Sequence, residues 1–171
     1  MPESALDQSD LRLLDLVQRD NQQPARVLAE RAGLSESAAL RRLRRLRRDR
    51  VIAADVSVVR PAAVGLPLTV IALVSLEREG AAALDTFARQ VRARPEMRQC
   101  WYVTGEADWV LVLRLASMEA YETFTREVFL ADPNVRAFRT LVAMREVVGA
   151  ADARPLGPLP LLPVPRSESR S

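Results

Sequence analysis

Residues Ser35–Arg50 read SESAALRRLRRLRRDR, with seven arginines, two acids and no lysine. On a helix each residue advances by about 100° around the axis, and that rotation sorts the stretch. Ala39, Leu43 and Leu46 fall within about 60° of one another and form a buried stripe. Ser37, Ala38, Arg41, Arg44, Arg45 and Arg48 lie on the opposite side, and Arg42 and Arg47 flank the stripe. Small residues come first along the exposed face and arginines follow. That order suits a helix whose N-terminal end approaches base edges while later cations grip phosphate. A basic face is often only solvated, or lies on an anionic membrane. Here the apolar side is narrow and Trp-free, which disfavours the membrane reading.

The preceding residues supply the context. LDQSDLRLLDLVQRD predicts a first helix over Ser9–Arg19 with Leu13, Leu14 and Val17 on its stripe. Pro24 can open a second helix, ARVLAERA, burying Val27, Leu28 and Ala32. Gly33 stops it, because the residue past a helix end favours positive φ, and Ser35 caps the next helix. Two short helices joined by a Gly-containing turn make a helix-turn-helix, here of the winged type. DNA-binding candidates are Ser35, Ser37, Ala38, Arg41, Arg42, Arg44, Arg45 and Arg48, and double-stranded DNA is the expected partner.

Bulk composition narrows the chemistry. Net charge is only +3 over 171 residues, so the basic excess is a local patch and not a polycation. There is no His and no Lys. That removes Ser-His-Asp and Cys-His dyads, imidazole metal sites and Schiff-base lysines. One cysteine, Cys100, permits neither an intrachain disulfide nor a thiolate cluster. No catalytic, metal or cofactor site is expected. No secretory signal or membrane span is expected either, which points to a cytoplasmic, DNA-associated protein.

Beyond Arg50 the pattern changes. VIAADVSVV reads as an extended arm ending near Pro61. LPLTVIALVSL is a strand, Ala81–Arg92 a helix with Leu84, Phe87, Ala88 and Val91 inward, and Met97–Val103 and Asp108–Leu115 are strands of a hairpin around TGEA. SMEAYETFTREVF is a helix capped by Ser117, with Met118, Tyr121, Phe124 and Val128 inward, and Val135–Val148 is the last strand. Cys100, Trp101 and Tyr102 read as strand core. The order βαββαβ is the ferredoxin-like split, so the fold class is α+β. Expected divisions are 1–50 for DNA binding, 51–66 for the arm, 67–150 for the second domain, and a Pro-rich, disordered tail over 151–171.

Two helices cover one face of a four-stranded sheet. Yet the first strand has Leu68, Val70, Ala72 and Val74 on one side and Ile71 and Leu73 on the other, and the third sets Trp109, Leu111 and Leu113 against Val110 and Val112. A sheet open to water should alternate apolar with polar. The helix-free face is therefore expected to be covered by a second subunit in a two-fold dimer.

These residues are specific enough to carry a resemblance. LDQSDLRLLDLVQRDNQQPARVLAERAGLSESAALRRLRRLRRDRVI resembles the N-terminal domain of the leucine-responsive/asparagine (Lrp/AsnC) regulators. VTGEADWVL and AYETF resemble their effector domain, and the likeness spans about residues 6–150. It implies a sequence-specific transcription regulator of prokaryotes that dimerises through the βαββαβ domain, assembles further to octamers and responds to an amino acid or related metabolite. It implies an effector site lined by Thr104, Gly105, Ala107, Asp108 and Trp109, with turn N–H groups for a carboxylate and Asp108 for an ammonium. Against this stands the plainer reading that Gly105 and Asp108 simply make the turn. The family pattern has Gly where Arg50 stands. A left-handed residue there would cost about 1 kcal/mol, unless the helix ends differently. Competing functions are an architectural DNA-organising protein with little sequence choice and, more remotely, a tetrapyrrole decarboxylase-like enzyme, a class that leans on histidine.

Overall fold

The computed structural model describes residues 6–78 and 80–148, so the Pro-rich tail lies outside the described residues. The chain divides into two compact units that meet between Val58 and Val59.

In the first unit, α1 (Gln8–Val17), α2 (Ala25–Ala32) and α3 (Glu36–Arg48) pack around Leu13, Leu16, Leu28, Ala29, Ala32, Ala39 and Leu43. Local chemistry fixes the ends. Asp7 and Asp10 form a reciprocal capping box at the start of α1. Gly33 closes α2 at φ 70°, where an L side chain is strained. Ser35 then accepts the Ala38 N–H at 3.3 Å and starts α3. The buried stripe of α3 is Ala39, Leu43 and Leu46, as its spacing predicts. On α1 the stripe is rotated from expectation. Leu11, Leu13 and Leu16 are buried while Leu14 and Val17 are half-buried, and on α2 Ala29 replaces Val27 in the core. Residues 53–60 carry no helix or strand, and a 3-10 turn follows over Pro61–Val64.

The second unit is an antiparallel sheet of order β2-β3-β1-β4: β1 (Leu68–Leu76), β2 (Met97–Tyr102), β3 (Trp109–Leu115) and β4 (Val135–Val142). Helices α4 (Ala81–Arg92) and α5 (Met118–Phe124) cover one face, where Val70, Ala72, Val74, Leu111, Leu113, Phe87, Val91 and Phe124 form the core. Three readings need correction. Met118 is exposed, being the first residue of α5. That helix continues as a π-helix over Thr125–Leu130, where the Gln90 amide donates to the Val128 carbonyl at 3.3 Å. Finally, Trp101 and Tyr102 are exposed: Trp101 pairs with Val110 on the helix-free face, and Tyr102, on the helix side, lies on an edge strand that the helices cover incompletely. Only Cys100 of that trio packs on the core, and burial pushes its thiol pKa up against the opposing pull of Arg92.

The helix-free face carries an apolar patch reaching all four strands, beside Gln99, Arg114 and Arg139 on the same face. Trp101 pairs with Val110, which pairs with Leu73; Val112 pairs with Ile71, which pairs with Leu141. Along β3 burial alternates between complete on the helix side and partial on this one.

Candidate functional site

The arginines of α3 divide into two groups. Asp10 on α1 is fully buried, and its carboxylate is the reason. It accepts the Asp7 N–H at 3.1 Å, the Arg42 guanidinium at 2.9 Å and the Arg45 guanidinium. Arg42 also reaches Asp7 at 2.6 Å. Burial raises the Asp7 carboxyl, but hydrogen bonds from the Asp10 N–H and Arg42 outweigh it and hold the group below its ordinary value. An isolated buried carboxylate would be costly, and here it is saturated by charge-assisted donors. Arg47 is likewise held by Asp55 at 2.7 Å, with the Asp55 carboxyl lowered by that hydrogen bond. These three cations clamp α3 to its own unit.

Arg41 and Arg44 behave differently. Both are exposed and have no hydrogen bond or ion pair among the described residues. Arg48 is exposed, and its one ion pair among the described residues is with neighbouring Asp49, at 2.9 Å. Ser37 is exposed and Ala38 half-buried beside them. The structure thus gathers Ser37, Ala38, Arg41, Arg44 and Arg48 on one open surface, with Ser35 serving as the helix cap. The other two arginines named as DNA-binding candidates, Arg42 and Arg45, are instead paired with Asp7 and Asp10. Sequence reasoning missed Asp10, whose signal was an acid three residues before Leu13, on the buried stripe.

In the second unit the hairpin residues 103–109 stand together. Thr104 and Gly105 are exposed, and Ala107 and Asp108 are half-buried. Gly105 has φ 124°, and a Cβ there would meet nothing within 4 Å. Its backbone angle requires glycine, while the neighbouring chain leaves the space open. Asp108 closes the hairpin: its carbonyl accepts the Val103 N–H at 2.8 Å, its N–H donates to Val74 at 3.0 Å, and Oδ2 accepts the Leu76 N–H at 2.7 Å. That last bond falls where the β1–β4 register shifts between Ser75 and Leu76. One carboxylate oxygen is therefore engaged by the fold, as the plainer turn reading of Asp108 has it. Trp109 lies in the core between Phe87 and Tyr102, at ring separations of 5.5 and 5.3 Å. Its Nε1–H has no partner among the described residues.

Comparison with known proteins completes the picture. A winged helix-turn-helix DNA-binding model matches residues 6–53, and the Lrp/AsnC ligand binding domain model matches residues 69–151. The leucine-responsive regulatory protein of Rhizobium meliloti is 32% identical over 85% of this chain and 93% of its own length. The chain belongs to the Lrp/AsnC family of transcriptional regulators. An HTH-type transcriptional regulator of Sinorhizobium fredii is 46% identical over 83% of this chain and 84% of that protein. Among solved Lrp/AsnC relatives, a Neisseria meningitidis regulator in complex with L-Met superposes with a TM-score of 0.75 at 29% identity, covering 84% of this chain and 92% of that one. This Lrp/AsnC chain is thus a DNA-binding regulator carrying a small-molecule-binding domain. No described helix is long and apolar enough to cross a membrane.

Proposed function

We propose that α3 reads DNA sequence directly. Arg41 meets a base edge, its planar fork suited to the two acceptors of guanine, while Ser37 and Ala38 lie against neighbouring bases. Arg44 and Arg48 take phosphates, and Arg42 and Arg45 act as positioning residues through Asp10. The observation that carries this reading is the division of the arginines: Arg41 and Arg44 have no partner among the described residues, while Arg42, Arg45 and Arg47 on the same helix are matched to carboxylates of their own unit. Mapping the DNA bound across the genome tests it. Discrete peaks sharing a motif are expected. Even coverage would favour the architectural alternative, with a specificity ratio near one.

The hairpin over residues 104–109 is the proposed effector site, taking an amino acid or a related small metabolite. The exposed bend at Thr104 and Gly105 offers backbone N–H groups to a carboxylate, and the second Asp108 oxygen remains for an ammonium. The relative in complex with L-Met supports that ligand class. The apolar sheet face carrying Ile71, Leu73, Trp101, Val110, Val112 and Leu141 supports a homodimer, with assembly to octamers beyond it. Leu73→Glu should yield a monomer in sedimentation; an unchanged oligomer would place the interface elsewhere. Such a protein acts on DNA in the prokaryotic cytoplasm.

A further inference from the structure

Four described residues have positive φ, and three of them are glycines. The fourth is Arg50, at φ 58°. At Gly33 and Gly65, which also follow helical segments, the chain uses glycine for the same left-handed turn. Arg50 sits just past α3, where its N–H donates to the Arg47 carbonyl at 3.1 Å and Ile52 N–H to the Leu46 carbonyl at 3.1 Å. The turn is therefore fixed by backbone hydrogen bonds, and the side chain takes no part in it. That side chain is exposed and makes no hydrogen bond or ion pair among the described residues. Its neighbours differ: Arg47 is held by Asp55 and Arg48 touches Asp49. A cation at a helix C-terminus gains from the dipole, but the last turn of α3 already holds Arg45, Arg47 and Arg48. Strained backbone clusters at functional positions, and the arginine it carries here is always charged and free to bind.

We propose that Arg50 is a DNA phosphate contact, adding a cation just past the end of α3 to those of Arg41, Arg44 and Arg48. The inference rests on α3 being the DNA-facing helix. A guanidinium in this place contributes affinity without sequence choice, and the left-handed turn sets the direction in which it leaves the helix. The strain is the cost of having a cation where glycine would relax the chain.

The test compares full-length protein with Arg50→Gly, Arg50→Lys and Arg44→Ala. Binding to a mixed-sequence duplex of about 30 base pairs is followed by anisotropy between about 50 and 200 mM salt, with thermal unfolding measured in parallel. Arg50→Gly is expected to raise the melting temperature, weaken binding and make the slope of log K against log salt shallower by about 0.9 for each subunit on the DNA, the share of one phosphate contact, hence about 1.8 for a dimer. Arg50→Lys should keep the wild-type slope, because the charge remains. A wild-type slope in Arg50→Gly, with Arg44→Ala shallower, would overturn the inference while leaving α3 as the DNA helix. Equal loss in Arg50→Gly and Arg50→Lys would also overturn it, since charge would not be the cause. A wild-type slope in both Arg44→Ala and Arg50→Gly would instead bring down the placement of DNA on α3.

Discussion

Helix α3 and the 103–109 hairpin both carry candidate binding residues, and they divide labour in opposite ways. On α3 folding and binding fall on different side chains. Asp10 holds Arg42 and Arg45, Asp55 holds Arg47, and Arg41 and Arg44 are left without work in the fold. In the hairpin the same residues serve both ends. Asp108 is an effector candidate and also the acceptor that closes β1 through Leu76. Gly105 is a candidate backbone approach and also the residue its φ demands. A helix separates roles by rotation, whereas a tight turn has no spare face on which to put them.

That contrast predicts how mutations behave. The largest effect should come from Asp10→Ala, which strips the carboxylate that two arginines share. Breaking a wholly buried pair costs about 3–5 kcal/mol. Arg42 and Arg45 are partly exposed, so about 2–3 kcal/mol is expected in urea unfolding of the first unit. A loss near zero would show that the clamp contributes nothing to holding α3.

Asp108 should show a smaller and mixed effect. Asp108→Ala leaves the Leu76 N–H without its acceptor and should cost about 1–2 kcal/mol, while Asp108→Asn keeps an acceptor and should fold normally. If Asp108 also meets an ammonium, Asp108→Asn weakens amino-acid binding by calorimetry with little change in stability. Binding unchanged in Asp108→Asn would reduce Asp108 to a turn residue and sharpen the contrast with α3.

The smallest effect concerns pH. The Asp7 carboxyl is held below its ordinary value, so its contribution is complete above pH about 4 and is lost as pH falls through the lower folded value. The urea midpoint of the wild type should drop in that acid range more steeply than that of Asp7→Asn. Parallel curves would show that the capping box carries no such linkage.

The two regions also differ in how far sequence revealed them. The leucine spacing, Gly33 and Ser35 announce α3 and its exposed face because those signals are local. Asp10 hid because its burial depends on arginines more than thirty positions away, which only packing brings near. The same limit explains Tyr102: strand alternation places it on the helix side with Trp109 but does not say that β2 lies at the sheet edge. The π-helix after Phe124 was invisible for a similar reason, since Gln90 from α4 helps satisfy a carbonyl there. Arg50 was a local signal of the other kind, a non-glycine where a left-handed turn was expected, and it is found left-handed.

The central claim is that α3 separates reading from gripping, and titration of Arg41→Ala and Arg48→Ala against a bound site and its scrambled counterpart tests it most directly. Arg41→Ala should lose about 1–3 kcal/mol on the site and far less on scrambled DNA, while Arg48→Ala should weaken both alike. Equal losses on the two duplexes for Arg41→Ala would contradict the account.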